Sequence, residues 1–209
     1  MTDKRILKTK KALKSALIEL VSEKPFDNIS VTEICTLANT GRITFYTHYD
    51  DKYDLLQDIF SDLKNDVMMD YKARQAESKE PDNTKSRFLN LIDSILDLMG
   101  KYSAASRNLS SNNELLFLYY QFVLETLDTF ELSAVKSKRR YDKDQLNSFL
   151  ALGFWGFIHT RPSSGKPAKE NTNSGKANII NNTGDIDKNK LRRDAHMLVS
   201  DLIDSGIME

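Results

Sequence analysis

Apolar residues recur at helical spacing along nearly the whole chain, and no segment sustains the strict alternation of a half-buried strand. The pattern predicts an all-α fold of about nine helices. Ile6, Leu13, Leu17, Leu20 and Val21 make one stripe down a first helix, with lysines largely between them, and Pro25 ends it. Ser30 followed by Glu33 has capping-box spacing, so a short second helix should run from Val31 to about Ala38. Asn39 then suits a sharp reversal, because Asn tolerates the left-handed backbone conformation. A third short helix carries Arg42 to about Tyr49. Asp50 and Asp51 can cap a fourth, long helix whose Leu55, Leu56, Ile59, Phe60, Leu63 and Val67 carry it past Tyr71.

Beyond a polar stretch around Pro81, another helix holds Phe88, Leu91, Ile92, Ile95, Leu96 and Met99, with Gly100 expected to end it. The next starts near Asn113 and is apolar on too many sides for a surface helix, which places it centrally. A further helix runs from about Asp142 to His159. Residues 161–190, RPSSGKPAKENTNSGKANIINNTGDIDKNK, crowd Pro, Gly, Ser and Asn together and read as a mobile loop. Leu191, Leu198, Leu202 and Ile203 mark a last helix. The expected division is an amino-terminal three-helix domain over 1–50 and a carboxyl-terminal helical bundle over 51–209.

Composition narrows the chemistry. The 209 residues carry zero formal net charge, so attraction to nucleic acid must come from local asymmetry. The amino end supplies it: Lys4, Arg5, Lys8, Lys10, Lys11 and Lys14 are opposed there only by Asp3. A single cysteine, Cys35, excludes an internal disulfide framework and a multi-cysteine zinc site. No apolar run approaches the roughly 18 residues of a membrane span, and the charged start leads into no signal-peptide core, so a cytoplasmic protein is expected. His159 and His196 stand apart from any carboxylate at ligand spacing. With no nucleophile elbow, phosphate-cradling glycine loop or metal-ligand cluster, the sequence predicts neither enzyme, metal nor cofactor.

The chemistry concentrates in residues 39–52, NTGRITFYTHYDDK. Helix, Asn turn, helix is the helix-turn-helix arrangement, whose second helix lies in the major groove of DNA. Ile34, Cys35, Ala38 and Phe45 can form the small core between the two helices, which leaves the other side chains outward. Arg42 has the planar fork that fits guanine O6 and N7, and Ile43 can touch a thymine methyl. Thr44, Tyr46 and His48 are spaced to reach phosphates along one groove wall. Lys52 adds a point charge at the start of the fourth helix, and Thr32 can act from the start of the second.

The segment from about Lys10 to Ile59, with ISVTEICTLANT followed by GRITFYTHYDDKYDLL, resembles the amino-terminal domain of TetR/AcrR-family transcriptional regulators. The resemblance covers about a quarter of the chain. It implies Thr44, Tyr46, His48 and Lys52 as DNA-backbone contacts and Arg42 with Ile43 as base contacts. It departs at Asn39, where the family often has Gly, at Gly41, where Ser or Asn often caps the recognition helix, and at Ile43, where a small residue is common. It also implies a carboxyl-terminal half that dimerises and holds an inducer pocket. The apolar surface of the helix near 142–160, with a partner at 190–204, supports a homodimer. Phe88, Tyr102, Phe117, Tyr119, Tyr120, Phe122, Phe130 and Trp155 are candidates to line a cavity for a small apolar ligand, unless they are solid core. The expected function is a dimeric repressor on a palindromic double-stranded operator, released by a small ligand. The alternative is a helical coactivator that keeps the helix-turn-helix as scaffold and answers to a protein partner.

Overall fold

The computed structural model describes residues 4–109, 113–129, 142–159 and 188–205. All regular structure among them is helical, in nine α-helices and one 3-10 turn. The expected loop at 161–190 lies outside the described residues except for its last three, Lys188–Lys190, which open the final helix. Phe130 lies outside them too.

Helix α1 spans Lys4–Glu23 and buries Leu13, Ala16, Leu17 and Val21. The stripe starts later than the periodicity suggests, since Ile6 is exposed before the helix reaches the core. After Pro25 the chain makes a 3-10 turn, Phe26–Asn28, that drives the Phe26 ring fully inside. Helix α2, Val31–Leu37, starts on the expected capping box: Glu33 N–H donates to Ser30 Oγ at 3.2 Å and Ser30 N–H to Glu33 Oε2 at 2.9 Å. Lys24 pairs with the same carboxylate, and with Ser30 holds it down to about 2. Asn39 takes φ of 49°, and the reversal is closed by Thr40 N–H on the Cys35 carbonyl.

Helix α3 is shorter than expected, Arg42–Tyr46. Past Tyr46 the chain tightens into turns because Tyr49 is drawn inward, where its hydroxyl donates to Asp58 Oδ2 at 2.7 Å. Asp51 then caps α4, Lys52–Glu77, accepting from Tyr53 and Asp54 N–H. Helix α5, Thr84–Lys101, starts on Asn83 and runs through Gly100 to the cap at Tyr102. A seven-residue α6, Ser103–Leu109, follows, then α7, Asn113–Thr129, α8, Lys143–His159, and α9, Lys188–Asp204.

Two apolar clusters organise these helices. The first joins Leu13, Leu17, Phe26, Ile34, Phe45, Leu55 and Ile59, and takes in Ala105 of α6. The second joins Val67, Phe88, Leu91, Ile95, Phe122, Ala151 and Val199. Helix α4 contributes to both, so the core that holds the first three helices continues past residue 50 to Ile59. Around this rod, α6 packs on α1, α5 and α7 on α4, α8 on α7 and α9 on α5.

Candidate nucleic-acid interface

Phe45 fixes the orientation of α3. Its ring is wholly buried with Ile34 and the Cys35 side chain, and it meets Tyr46 edge-on at 5.4 Å and Tyr49 at 5.8 Å. With that face turned inward, the others point to solvent. Ile43 is 87% exposed, far more than an isoleucine in a packed helix, and Arg42 beside it is exposed as well. The Arg42 guanidinium lies 5.9 Å from the Tyr46 ring centroid, and Tyr46 itself is half exposed. Thr44 and His48 are partly exposed, and the His48 ring leans edge-on against Tyr49. Thr32 is exposed at the start of α2, where its carbonyl accepts from Thr36 Oγ1. Arg42, Ile43 and Tyr46 therefore share one helix; Thr32 stands apart on α2.

The Lys52 charge stands at the start of α4 and is engaged within the protein. Its Nζ donates to the carbonyls of Phe26 at 2.9 Å, Asp27 at 3.2 Å and Ile29 at 2.9 Å. Burial depresses this ammonium below the ordinary lysine range, outweighing the opposite pull of Asp27, Asp51 and Glu33.

The basic amino end also divides. Lys14 pairs with Asp58 at 3.0 Å and Asp62 at 2.5 Å, and Lys10 with Asp58 at 3.4 Å, which fastens α1 to α4. Burial opposes the charge on Lys14, but the two carboxylates prevail and raise it. Asp58 mirrors this: burial pushes up, while the Tyr49 and Lys14 hydrogen bonds together hold the carboxyl down. Lys4, Lys8 and Lys11 are exposed. Two exposed residues near the turn escaped sequence reasoning. Leu37 ends α2 exposed although it stands three residues after buried Ile34, so helical phase gave no sign of it. Thr47 is exposed and bonds the Ile43 carbonyl through Oγ1, a local contact without a sequence signature. Burial raises the Cys35 thiol, consistent with a packing residue.

Of the cavity candidates, Tyr102, Tyr119 and Phe122 line an apolar cavity of about 100 Å3 among the described residues. Its walls come from α1 (Leu17, Val21), α4 (Ile59, Phe60), α5 (Leu98, Met99), α6 (Ala105) and, through Tyr119 and Phe122, α7. Phe88 is packed solidly in the second core, Phe117 points outward at 58% exposure, and the Tyr120 hydroxyl donates to Ser148 Oγ at 3.0 Å. The Trp155 and His159 side chains lie outside the described residues. His196 is not isolated: its Nε2 is 2.8 Å from Asp93 Oδ1, a partner that folding brings from α5. Among the described residues no His, Cys, Asp and Glu cluster could hold a metal ion, and no helix is long and apolar enough to cross a membrane.

Residues 13–59 match the family model of bacterial regulatory proteins, tetR family. An uncharacterized HTH-type transcriptional regulator, YxbF, from Bacillus subtilis (strain 168) is 38% identical over 56 residues. That match takes 26% of this chain and 15% of the relative's length. Residues 13–59 thus form a segment of the TetR amino-terminal type. The matched span opens at Leu13 and closes at Ile59, so it holds every buried member of the amino-terminal apolar cluster except Ala105 of α6. All seven candidate DNA-facing residues fall inside it. Over 94% of this chain and 96% of the other, the fold is similar to that of a TetR transcriptional regulator from Streptococcus agalactiae 2603V, with a TM-score of 0.55 and 23% identity. The likeness of fold thus extends beyond the helix-turn-helix.

Proposed function

We propose that this protein is a homodimeric transcriptional repressor that inserts α3 into successive major grooves of a palindromic operator. The outward presentation of Ile43 beside Arg42 and Tyr46 carries this reading. An apolar side chain left this exposed gains when covered, and a thymine methyl offers that cover while Arg42 reads an adjacent guanine. Thr44, Tyr46 and His48, with Thr32 from α2, are assigned to the sugar-phosphate backbone.

Dimer formation is supported by α8 and α9. Phe149 and Leu152 of α8 are 64% and 53% exposed, and a Cβ built at Gly153 or Gly156 would meet nothing within 4 Å. Met197 and Leu198 of α9 are exposed as well. Such apolar surface, with room for close backbone approach, fits a second copy of the chain. The cavity favours release by a small apolar effector, since α1 and α4 both wall it and the filled space would bear on the helices that hold α3.

Selection of duplexes from a random pool, followed by gel-shift titration, tests the reading. The expected result is one enriched palindrome bound by two protomers. A pool without any enriched site, from a protein that instead retains a protein partner, would replace it with the interaction-module alternative.

A further inference from the structure

We infer that Lys52 positions the helix-turn-helix by clamping the turn before α2, and is not one of the groups that grip DNA phosphate. This inference starts from the DNA-binding reading but rests on geometry internal to the free protein. An ammonium has three donors, and three carbonyls receive them: Phe26, Asp27 and Ile29. These carbonyls belong to the 3-10 turn and its C-cap, an end of helical structure that favours a cation, and the Phe26 carbonyl also accepts from Ile29 N–H at 3.0 Å. The Phe26 ring, 4.6 Å from Nζ, covers the charge from one side, and Tyr53 stands 5.8 Å away.

The clamp sits at an informative place. Lys52 is the first residue of α4, directly after its Asp51 cap, and Ile29 immediately precedes the Ser30 cap of α2. One side chain therefore ties the entry to α2 to the exit from α3, the two ends of the segment that must present Arg42 and Ile43 together. Donating to a phosphate would require Nζ to give up at least one of these three carbonyls.

Lysine labelling on the intact protein tests this without any knowledge of the operator. With acetic anhydride, read by mass spectrometry, Lys52 in the free protein should react at least tenfold more slowly than exposed Lys8 and Lys11. Adding DNA should leave its rate unchanged. Labelling at the rate of Lys8 in the free protein, with protection only on DNA, would overturn the inference. A second test uses Lys52→Met, which keeps the apolar stem without a donor. Its melting temperature should fall and its DNA affinity weaken, while the slope of log affinity against log salt stays that of the parent. Loss of one phosphate contact would instead flatten the slope by about 0.9, and that outcome would restore Lys52 to the phosphate-binding set. Should the variant not fold, the labelling rates still decide. A chain that binds no DNA but shows a slow Lys52 would refute the DNA-binding reading and leave the clamp standing.

Discussion

At the scale of single residues, the sequence identified side chains better than it identified their partners. Asn39 was legible because few residues other than Gly tolerate a positive φ, and the structure uses Asn39 for that conformation. Phe45 and Cys35 were legible as the small core of the pair, and both are buried. Lys52 was not, because its carbonyl partners lie 23 to 26 positions earlier and backbone acceptors leave no trace in side-chain identity. His196 failed for a related reason, its partner Asp93 being 103 residues away. Arg42 belongs at this scale as a prediction. Arg42→Ala should cost about 1–3 kcal/mol against the preferred base at one operator position while leaving affinity for non-cognate duplexes nearly unchanged. Competition gel shifts with single-base operator variants measure this, and an undiminished preference at every position would remove Arg42 from the reading set.

At the scale of elements, starts were more legible than ends. The α2 capping box, the Asp51 cap of α4 and the break at Pro25 each rest on a local side chain or ring, so the sequence displays them. The end of α3 is set by a tertiary pull on Tyr49 toward Asp58, which no window of α3 contains. Gly100 was expected to stop α5, yet the helix continues to Lys101, and the short α6 beyond it was not separately foreseen. One prediction follows from the α2 cap. The Glu33 carboxyl sits near 2 in the folded chain, chiefly through Lys24 and then Ser30, against an ordinary value of 4.5. A depressed carboxylate contributes stability above its unfolded value and loses it as pH falls through the folded one. Glu33→Gln should therefore melt below the parent at pH 6, with the gap closing between about pH 4.5 and 2. Thermal melts across that range check it, and a gap that persists unchanged to pH 2 would show that the ionised carboxylate is not the stabilising form.

For the whole molecule, the all-α architecture was readable from period alone, whereas the location of the cavity was readable only in part. Of the aromatic candidates, Tyr102, Tyr119 and Phe122 line the space and Phe88 and Phe117 do not, because it opens where α1, α4, α5, α6 and α7 meet, with most of its wall Leu, Ile, Val and Ala. Composition cannot show a void, because a void is a matter of which volumes fail to meet. The outward face of α8 leads to a prediction at this scale. Phe149→Asp, placed on a side chain already 64% exposed, should leave the fold intact and shift sedimentation toward monomer, with operator affinity falling at least tenfold. Retained dimers of the variant would direct the search for the two-fold contact elsewhere.

Helix α4 carries one more implication, for anyone wishing to work with half of this molecule. Twelve residues separate Leu55 from Val67, a rise of about 18 Å along one uninterrupted rod, and each belongs to a different oily cluster. Scissors applied at residue 50 would take away Leu55, Leu56 and Ile59, the lid over Phe45 and Leu17, so that piece should show little ellipticity at 222 nm. A cut at residue 64 keeps the lid in place, and the longer piece should retain helical signal and a thermal transition. Equal signal per residue from both pieces would mean that the lid is dispensable.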